Sequence, residues 1–214
     1  MNRLVDSPVF IISSIRSGST LLRCILSAHS ELHAPHELHL ADLSVTMTSP
    51  YVELAMDVAG LDVRELEHLL WDRVLHCSLT ASGKQQIIDK TPGNALRWRR
   101  LIECWPKSRF VFLRRDPDKI LASAYAANPA RGRADTRDIV ERLIVGVDDA
   151  QSHLPGIEVR YENLLSAPHR VVAAICDHLG VAFEESMLTY QVPEHLVPGI
   201  GDFTEKIRTG QIQP

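Results

Sequence analysis

A run of small and polar residues near the start of the chain has the composition of an anion-binding loop. Residues 13–20 read SSIRSGST and lie between the apolar run 8–13 and a helical apolar pattern over residues 21–28. A helix N-terminus offers unpaired backbone N–H groups and a partial positive charge, and Gly18 lets an anion approach the backbone closely. The spacing therefore predicts a phosphate cradle.

The loop departs from the phosphate loop of nucleotide triphosphatases, GxxxxGK[ST], at two of its four defining positions. Ser13 stands in place of the first glycine and Ser19 in place of the lysine, whereas the other two positions match. The missing lysine speaks against magnesium-dependent triphosphate hydrolysis, and the basic charge moves to Arg16. A simpler alternative stays open, in which Ser17 and Ser19 only cap the helix.

A second candidate anion clamp lies further along the chain. Arg115 follows the apolar run 110–113, and Ser123 comes eight residues later. An arginine at the carboxyl end of a strand, where open α/β sheets bind ligands, can bind a phosphate with two parallel N–H bonds. A hydroxyl two turns into the next helix can reach the same anion. The alternative is a structural ion pair between Arg115 and Asp116.

Short apolar runs alternate with helical patterns along most of the chain. Four strands are predicted, at residues 8–13, 86–89, 110–113 and 157–160. Helices are predicted at residues 21–28, in two segments within 53–78, after Pro92, and at 118–127, 139–154 and 170–179. Residues 128–135 are polar with Pro and Gly, which predicts a loop. Strands that alternate with helices predict an α/β, three-layer, P-loop-like fold with a central parallel sheet flanked by helices.

Length, charge and cysteine content argue against several classes of protein. The 214 residues are 45% hydrophobic and 23% charged, which suits one compact globular domain. The net charge of −4 argues against a nucleic-acid-binding protein, so any anion must be bound by local groups. Four scattered cysteines give no support for a disulfide framework or a zinc site. Neither a signal-peptide pattern nor a sufficiently long apolar run is present, so we expect no membrane span and a cytoplasmic protein.

Five motifs occur in the order and approximate spacing of a known family. They are RSGSTLLR at residues 16–23, PHELHL at 35–40, DKTP at 89–92, the segment 113–123, and RYENL at 160–164. Together they resemble the sulfotransferases that use 3′-phosphoadenosine 5′-phosphosulfate (PAPS), over about residues 9–179. The resemblance is strongest to bacterial members that act on polyketide or carrier-bound β-hydroxyl substrates of secondary metabolism, and next to the tyrosylprotein sulfotransferases. It implies a single sulfotransferase domain over residues 1–214, with a donor-binding core at about 7–180 and a C-terminal loop at 190–214.

The resemblance implies two anion sites for the donor, one for each end of the nucleotide. In the family, the first loop holds the 5′-phosphosulfate and the second clamp holds the 3′-phosphate. A tyrosine lies near the adenine or the 3′-phosphate, and a basic residue near the C-terminus contacts phosphate. The matching positions here are Arg16, Ser17, Gly18, Ser19, Thr20 and Leu21 for the loop, Arg115 and Ser123 for the clamp, Tyr161 for the tyrosine, and Lys206, with Arg208 as a further candidate.

The same resemblance implies the catalytic groups. Glu37 lies 21 residues after Arg16, the separation at which tyrosylprotein sulfotransferases place their catalytic glutamate, so we expect Glu37 to act as general base. Lys90 matches the family lysine that contacts the sulfuryl group or the bridging oxygen, and Arg16 neutralises charge there. Many cytosolic sulfotransferases use histidine as the base, so a neighbouring histidine stays open for that role. His39 is expected to bind the acceptor or orient Glu37, or it is merely packed or solvated.

The resemblance therefore implies sulfuryl transfer in line from PAPS to a hydroxyl of a small-molecule or carrier-bound acceptor. The product is adenosine 3′,5′-bisphosphate (PAP). No metal is expected, because His36 and His39 flank Glu37 without the HExxH spacing. Two alternatives stay open: a P-loop-type nucleotide-dependent kinase and a non-catalytic nucleotide-binding module.

Overall fold

A five-stranded sheet forms the centre of the fold. The computed structural model of the chain describes residues 2–190, 209, 210 and 212. The strands are β1 (Val9–Ser13), β2 (Leu32–His33), β3 (Gln86–Asp89), β4 (Arg109–Arg114) and β5 (Gly156–Arg160). Their order across the sheet is β2-β3-β1-β4-β5, and every neighbouring pair runs parallel. The predicted parallel sheet is therefore confirmed.

Eight α-helices in the described residues flank this sheet. They are α1 (Ser19–Ser27), α2 (Pro50–Val58), α3 (Val63–Ser82), α4 (Asn94–Cys104), α5 (Pro117–Ala127), α6 (Arg133–His153), α7 (Tyr161–Ser166) and α8 (Pro168–Leu179). Alternate residues of β1 point to opposite layers. Val9 and Ile11 pack in the cluster with α1 and α8, whereas Phe10 and Ile12 pack in the cluster with α3, α4 and α6. This arrangement confirms the predicted three layers.

The start of α6 differs most from its predicted boundary, and the short elements β2 and α7 were not predicted. The loop expected over residues 128–135 is shorter, because α6 already begins at Arg133 and Thr136 Oγ1 donates to the Gly132 carbonyl at 3.0 Å. Arg133 and Asp135 of that first turn are exposed, so their polarity reflected solvent contact rather than a loop. Strand β2 has only two residues and helix α7 has six, too few for a periodic pattern.

The candidate functional residues gather at one edge of the sheet. In a parallel sheet the carboxyl ends of all strands lie on the same side, which is where ligands bind in open α/β folds. The loop after β1, Lys90 after β3, Arg115 after β4 and Tyr161 after β5 all follow such ends. Among the helices that the structure describes, none has the length and apolar character needed to cross a membrane.

Candidate active site

The loop after β1 leaves the N-terminus of α1 open to a ligand. Gly18 is the N-cap residue, with a left-handed φ of 91°, and no side chain caps the helix. The alternative in which serines only cap α1 is therefore wrong: Ser17 Oγ donates instead to the Ser14 carbonyl at 2.7 Å. Because the first backbone N–H groups of a helix have no partner within the helix, this end of α1 can bind an anion.

The ring of Tyr161 packs against the loop at Gly18. A Cβ atom placed on Gly18 would lie 2.2 Å from Tyr161 Cδ2, so the tyrosine ring occupies the space that any other residue would need. The Arg115 guanidinium lies over the same ring, 4.5 Å from its centre. Glycine is thus required at residue 18 for two reasons, its left-handed backbone and the close approach of an aromatic ring.

The two predicted anion clamps meet in space. Arg115 Nη1 donates to the Arg16 carbonyl at 2.8 Å, and Arg16 Nε donates to Ser123 Oγ at 3.1 Å. Arg16 itself has a left-handed φ of 59°, which this bonding helps to maintain. Asp116 makes no structural ion pair with Arg115; its carboxylate caps α5 by accepting from the backbone N–H groups of Asp118 and Lys119. The alternative of an Arg115–Asp116 pair is therefore wrong.

Three buried polar atoms beside these clamps lack hydrogen-bond partners in the part of the chain that the structure describes. They are Ser13 Oγ, Ser14 Oγ and Arg115 Nε. Buried polar groups normally have a partner, so unpaired ones point to a bound group. Ser14 and Arg115 also line a cavity of about 450 Å³ at the carboxyl ends of β4 and β5. The chemistry of this donor set, an arginine with hydroxyls, fits phosphate.

Glu37 and Lys90 form an ion pair next to the phosphate loop. Lys90 Nζ donates to Glu37 Oε1, and it lies 3.5 Å from Thr20 Oγ1 in the first turn of α1. The lysine side chain is 1% exposed and that of the glutamate 12%. Burial lowers the pKa of Lys90, and the Glu37 carboxylate opposes this shift. The pair therefore places a proton acceptor and a partly desolvated cation beside the predicted phosphate site.

His39 contacts the other oxygen of the same glutamate. Its Nε2 lies 3.3 Å from Glu37 Oε2, and its Nδ1 lies 3.5 Å from Asp42 Oδ2. The His39 side chain is 46% exposed and its φ is 50°, a left-handed value that is uncommon outside glycine. This geometry matches a residue that orients Glu37 from the solvent side, one of the roles expected for it.

The buried carboxylate of Asp89, which was not predicted as a site residue, links the segment around Glu37 to the turn that contains Lys90. Asp89 accepts from Asn94 Nδ2 at 2.7 Å and from Thr91 Oγ1 at 3.2 Å, and it also accepts from the backbone of Leu38. Thr91 Oγ1 in turn accepts from the His39 N–H at 3.2 Å. Burial raises the pKa of Asp89, and these hydrogen bonds oppose the shift. The sequence signal for this network was the position of Asp89 at the end of the apolar run QIID. A carboxylate buried there needs several hydrogen-bond partners.

A cavity of about 240 Å³ joins these groups to the connection between α5 and α6. From the loop and the strand ends it is lined by Arg16, Gly18, Ser19, Thr20, Glu37 and Lys90, and from the connection between the two helices by Asn128 and Arg131. The structure thus brings together the predicted loop, glutamate and lysine around one space. Leu21 lies apart from them in the hydrophobic core, 7% exposed. Lys206 and Arg208 lie outside the described residues. Among the residues described, no group of three or more His, Cys, Asp or Glu side chains is placed to hold a metal ion.

Known proteins with the same fold include two bacterial sulfotransferase domains. The sulfotransferase domain of the Synechococcus PCC 7002 olefin synthase superposes with a TM-score of 0.73 at 26% identity, covering 100% of this chain and 86% of that one. The sulfotransferase domain from the curacin biosynthetic pathway superposes with a TM-score of 0.73 at 24% identity, covering 99% and 89%.

Among curated relatives, the omega-hydroxy-beta-dihydromenaquinone-9 sulfotransferase Stf3 of Mycobacterium bovis is 23% identical over 256 aligned positions. The match covers 86% of this chain but 66% of that relative, slightly under two thirds of its length. The sequence profile of the sulfotransferase family matches residues 8–185. With this match over most of its length, and with an open helix N-terminus beside a glutamate–lysine pair, the chain belongs to the sulfotransferase family.

Proposed function

We propose that the chain transfers a sulfuryl group from PAPS to the hydroxyl of a small-molecule or carrier-bound acceptor. The observation that carries the proposal is the meeting of Glu37, Lys90 and Thr20 in one cavity, next to a helix N-terminus that no side chain caps. Each group has a distinct chemical use there. The open backbone binds an anion, the lysine stabilises a leaving oxyanion, and the glutamate accepts a proton.

The donor is held at two places by the residues after β1 and β4. Residues 16–20 bind the 5′-phosphosulfate, and Arg115 with Ser123 binds the 3′-phosphate. The direct bond from Arg115 to the Arg16 carbonyl supports this assignment, because it makes the two clamps one rigid unit. The unpaired Ser14 Oγ and Arg115 Nε supply further groups that a phosphate satisfies.

The transfer itself needs positioning and electrostatics from this chain. The acceptor oxygen forms its bond to sulfur as the bond between sulfur and the bridging oxygen breaks. The hydroxyl proton passes to Glu37, and the electron pair of the broken bond leaves with PAP. Lys90 stabilises the charge that develops on the leaving oxygen. To do so its ammonium exchanges Glu37 for that oxygen, which frees the carboxylate for the hydroxyl.

The class of acceptor follows from the family together with the site. The name of the menaquinone relative specifies a hydroxylated metabolite, and two structural neighbours are domains of an olefin synthase and of a curacin pathway. These names support a hydroxyl acceptor of metabolite origin for this chain. The glutamate–lysine pair supports the same conclusion, because an alcohol requires a base while it attacks sulfur.

A donor-dependent transfer assay tests the proposal. Purified protein is incubated with [³⁵S]PAPS and a panel of phenols, sugars, lipids and hydroxyacyl thioesters, in EDTA and again in Mg²⁺. We expect labelled sulfate esters in both buffers, and none with the Glu37→Gln variant. A parallel reaction with [γ-³²P]ATP tests the kinase alternative. Transfer of phosphate but not of sulfate would overturn the proposal, and binding of PAPS without any transfer would favour the non-catalytic module.

A further inference from the structure

The cavity that holds Glu37 continues past the reacting groups to the connection between α5 and α6. Its apolar lining consists of small or compact residues, namely Ile15, Pro92, Ala124 and Ala127. Under the proposed function, the loop side of the cavity is taken by the phosphosulfate, so the acceptor occupies the remainder. A total volume of about 240 Å³ with this lining suits a slim chain rather than a fused ring system.

The connection between α5 and α6 contributes a positive charge to the wall of this cavity. Arg131 lines it together with Asn128, and the backbone N–H of Arg131 donates to the Asn128 carbonyl at 3.2 Å, which fixes the turn. Thr136 Oγ1, on the first turn of α6, donates to the Gly132 carbonyl and fixes the other side of the same connection. Arg131 therefore belongs to a hydrogen-bonded turn that lines the cavity.

Arg131 differs from the other charged residues around this cavity. Glu37 and Lys90 bind each other, and Arg16 donates to Ser123. The neighbouring Arg133 lies over the Tyr125 ring, 5.3 Å from its centre. The Arg131 side chain has no ion pair, side-chain hydrogen bond or ring contact within the described residues. A guanidinium in the wall of the cavity, with no partner for its donors in the part of the chain that the structure describes, matches an anionic group on the ligand.

We propose that the acceptor is a slim, flexible alcohol that also carries a negatively charged group, a carboxylate or a phosphate, and that Arg131 binds this group while the hydroxyl lies at Glu37. The inference rests on the proposed function and adds the charge and shape of the substrate. Arg131 acts on affinity for the acceptor, since it binds the charged group rather than the reacting hydroxyl. Its removal is therefore expected to raise KM and to leave kcat within about twofold.

Matched acceptor pairs test this proposal in the full chain with PAPS. One series compares ω-hydroxy carboxylates of four to ten carbons with their methyl esters. The other is 3-hydroxybutyryl-pantetheine 4′-phosphate against its dephosphorylated form, which distinguishes a phosphate source from a free carboxylate. We expect wild type to favour the charged member of at least one pair by about tenfold or more in kcat/KM, the size of one charge-assisted contact.

Variants at the two arginines of the connection give the control. Arg131→Ala should abolish the preference for charge, Arg131→Lys should keep part of it, and Arg133→Ala should leave it unchanged. A wild type that does not distinguish charged from neutral acceptors, or a preference that persists in Arg131→Ala, would overturn the inference. If no acceptor is sulfated, the proposed function fails instead.

A binding measurement then still tests Arg131 itself. The Nε–H resonance of this residue, assigned with Arg131→Lys, should shift when a charged acceptor is added to the PAP-bound protein. It should stay in place with the neutral ester. Equal or absent shifts with both compounds would contradict the proposed contact.

Discussion

The Lys90 ammonium and the Glu37 carboxylate neutralise each other at the edge of the phosphate loop, with the lysine side chain only 1% exposed. A base that is already paired with a cation accepts a proton poorly, and a paired lysine cannot serve a leaving group. In the proposed mechanism, the two groups become available together when the lysine turns to the donor. This coupling suggests that the acceptor hydroxyl is activated only after the donor has bound.

Replacing Glu37 by Gln should nearly abolish transfer while the protein still binds PAP. The amide keeps the size of the side chain but cannot accept the hydroxyl proton, so we expect kcat to fall about 10²- to 10⁴-fold. His39→Ala provides the comparison, with a smaller loss because His39 contacts Glu37 rather than the reacting atoms. A larger loss in His39→Ala than in Glu37→Gln would make the histidine the base. Steady-state rates and calorimetric titration with PAP measure both effects.

Removing Lys90 should affect stability as well as catalysis. Lys90→Met leaves the Glu37 carboxylate poorly exposed and without its cation, which costs about 3 kcal/mol of unfolding free energy. The double variant Lys90→Met with Glu37→Gln should recover most of that loss, because no unpaired charge remains. Lys90→Met and the double variant should both stay inactive, since the leaving oxygen lacks its cation. Urea denaturation of the two single variants and the double variant measures the coupling between the residues; additive effects would contradict the pairing.

The hydrogen bonds of Asp89 should position the segment that carries Glu37 and His39 through the Thr91 hydroxyl. Thr91→Val removes the hydrogen bond to Asp89 and the one from the His39 N–H. We expect about a tenfold lower kcat with little change in PAP affinity, because a small displacement of Glu37 is enough to slow transfer. Thr91→Ser keeps the hydroxyl and should keep the activity. Hydrogen exchange at the His39 amide should be faster in the valine variant only; unchanged exchange there would show that the bond does not hold the segment.

Local spacing was sufficient to predict the loop between β1 and α1, since a buried strand, a glycine and a helical pattern follow one another in the chain. The contact of Arg115 with Arg16 could not be predicted from local spacing. Whether an arginine after a strand pairs with its neighbouring aspartate or reaches a distant carbonyl depends on the strand order, which no local pattern contains. The Glu37–Lys90 pair likewise brings together residues from two segments whose proximity is set by β2 lying next to β3.

Introducing a methyl group at Gly18 should weaken nucleotide binding. Gly18→Ala places Cβ against Tyr161 and forces alanine into a φ of 91°, so we expect PAP affinity to fall about tenfold or more. Gly60 is a matched control, because its φ is also left-handed at 71° and nothing lies within 4 Å of a Cβ there. Gly60→Ala should carry only the backbone strain and bind PAP normally. Similar PAP affinities in the two variants would contradict the role of the tyrosine contact.

Arg115 should determine the preference for a nucleotide with a 3′-phosphate. Arg115→Ala removes a guanidinium that can form charge-assisted bonds to that phosphate. We expect the ratio of the dissociation constants of AMP and PAP to fall about 10- to 100-fold. The ratio is the informative quantity, since loss of the bond to the Arg16 carbonyl weakens the binding of both AMP and PAP. An unchanged ratio would assign the 3′-phosphate to other residues.

Apolar periodicity predicted the sheet and most helices because buried strands such as Val9–Ser13 and Arg109–Arg114 consist mainly of apolar residues. It did not predict β2, whose two residues are defined by pairing with Gln86 and Ile87 rather than by their own pattern. Nor could composition reveal Arg131 as part of a cavity wall. Its polar neighbours predict a surface loop equally well, and only the packing of α5 against α6 shows which side of that loop faces Glu37.

The ring of Tyr161 behind Gly18 also has a consequence for the order of events during synthesis. The loop after β1 is synthesised before the tyrosine that packs against it, because Tyr161 follows β5, the last of the described strands along the chain. A nascent chain that has not yet reached Tyr161 therefore contains the loop without the ring that packs against Gly18. A nucleotide bound as proposed would contact only chains that already contain both segments, and it would stabilise these two segments against unfolding together.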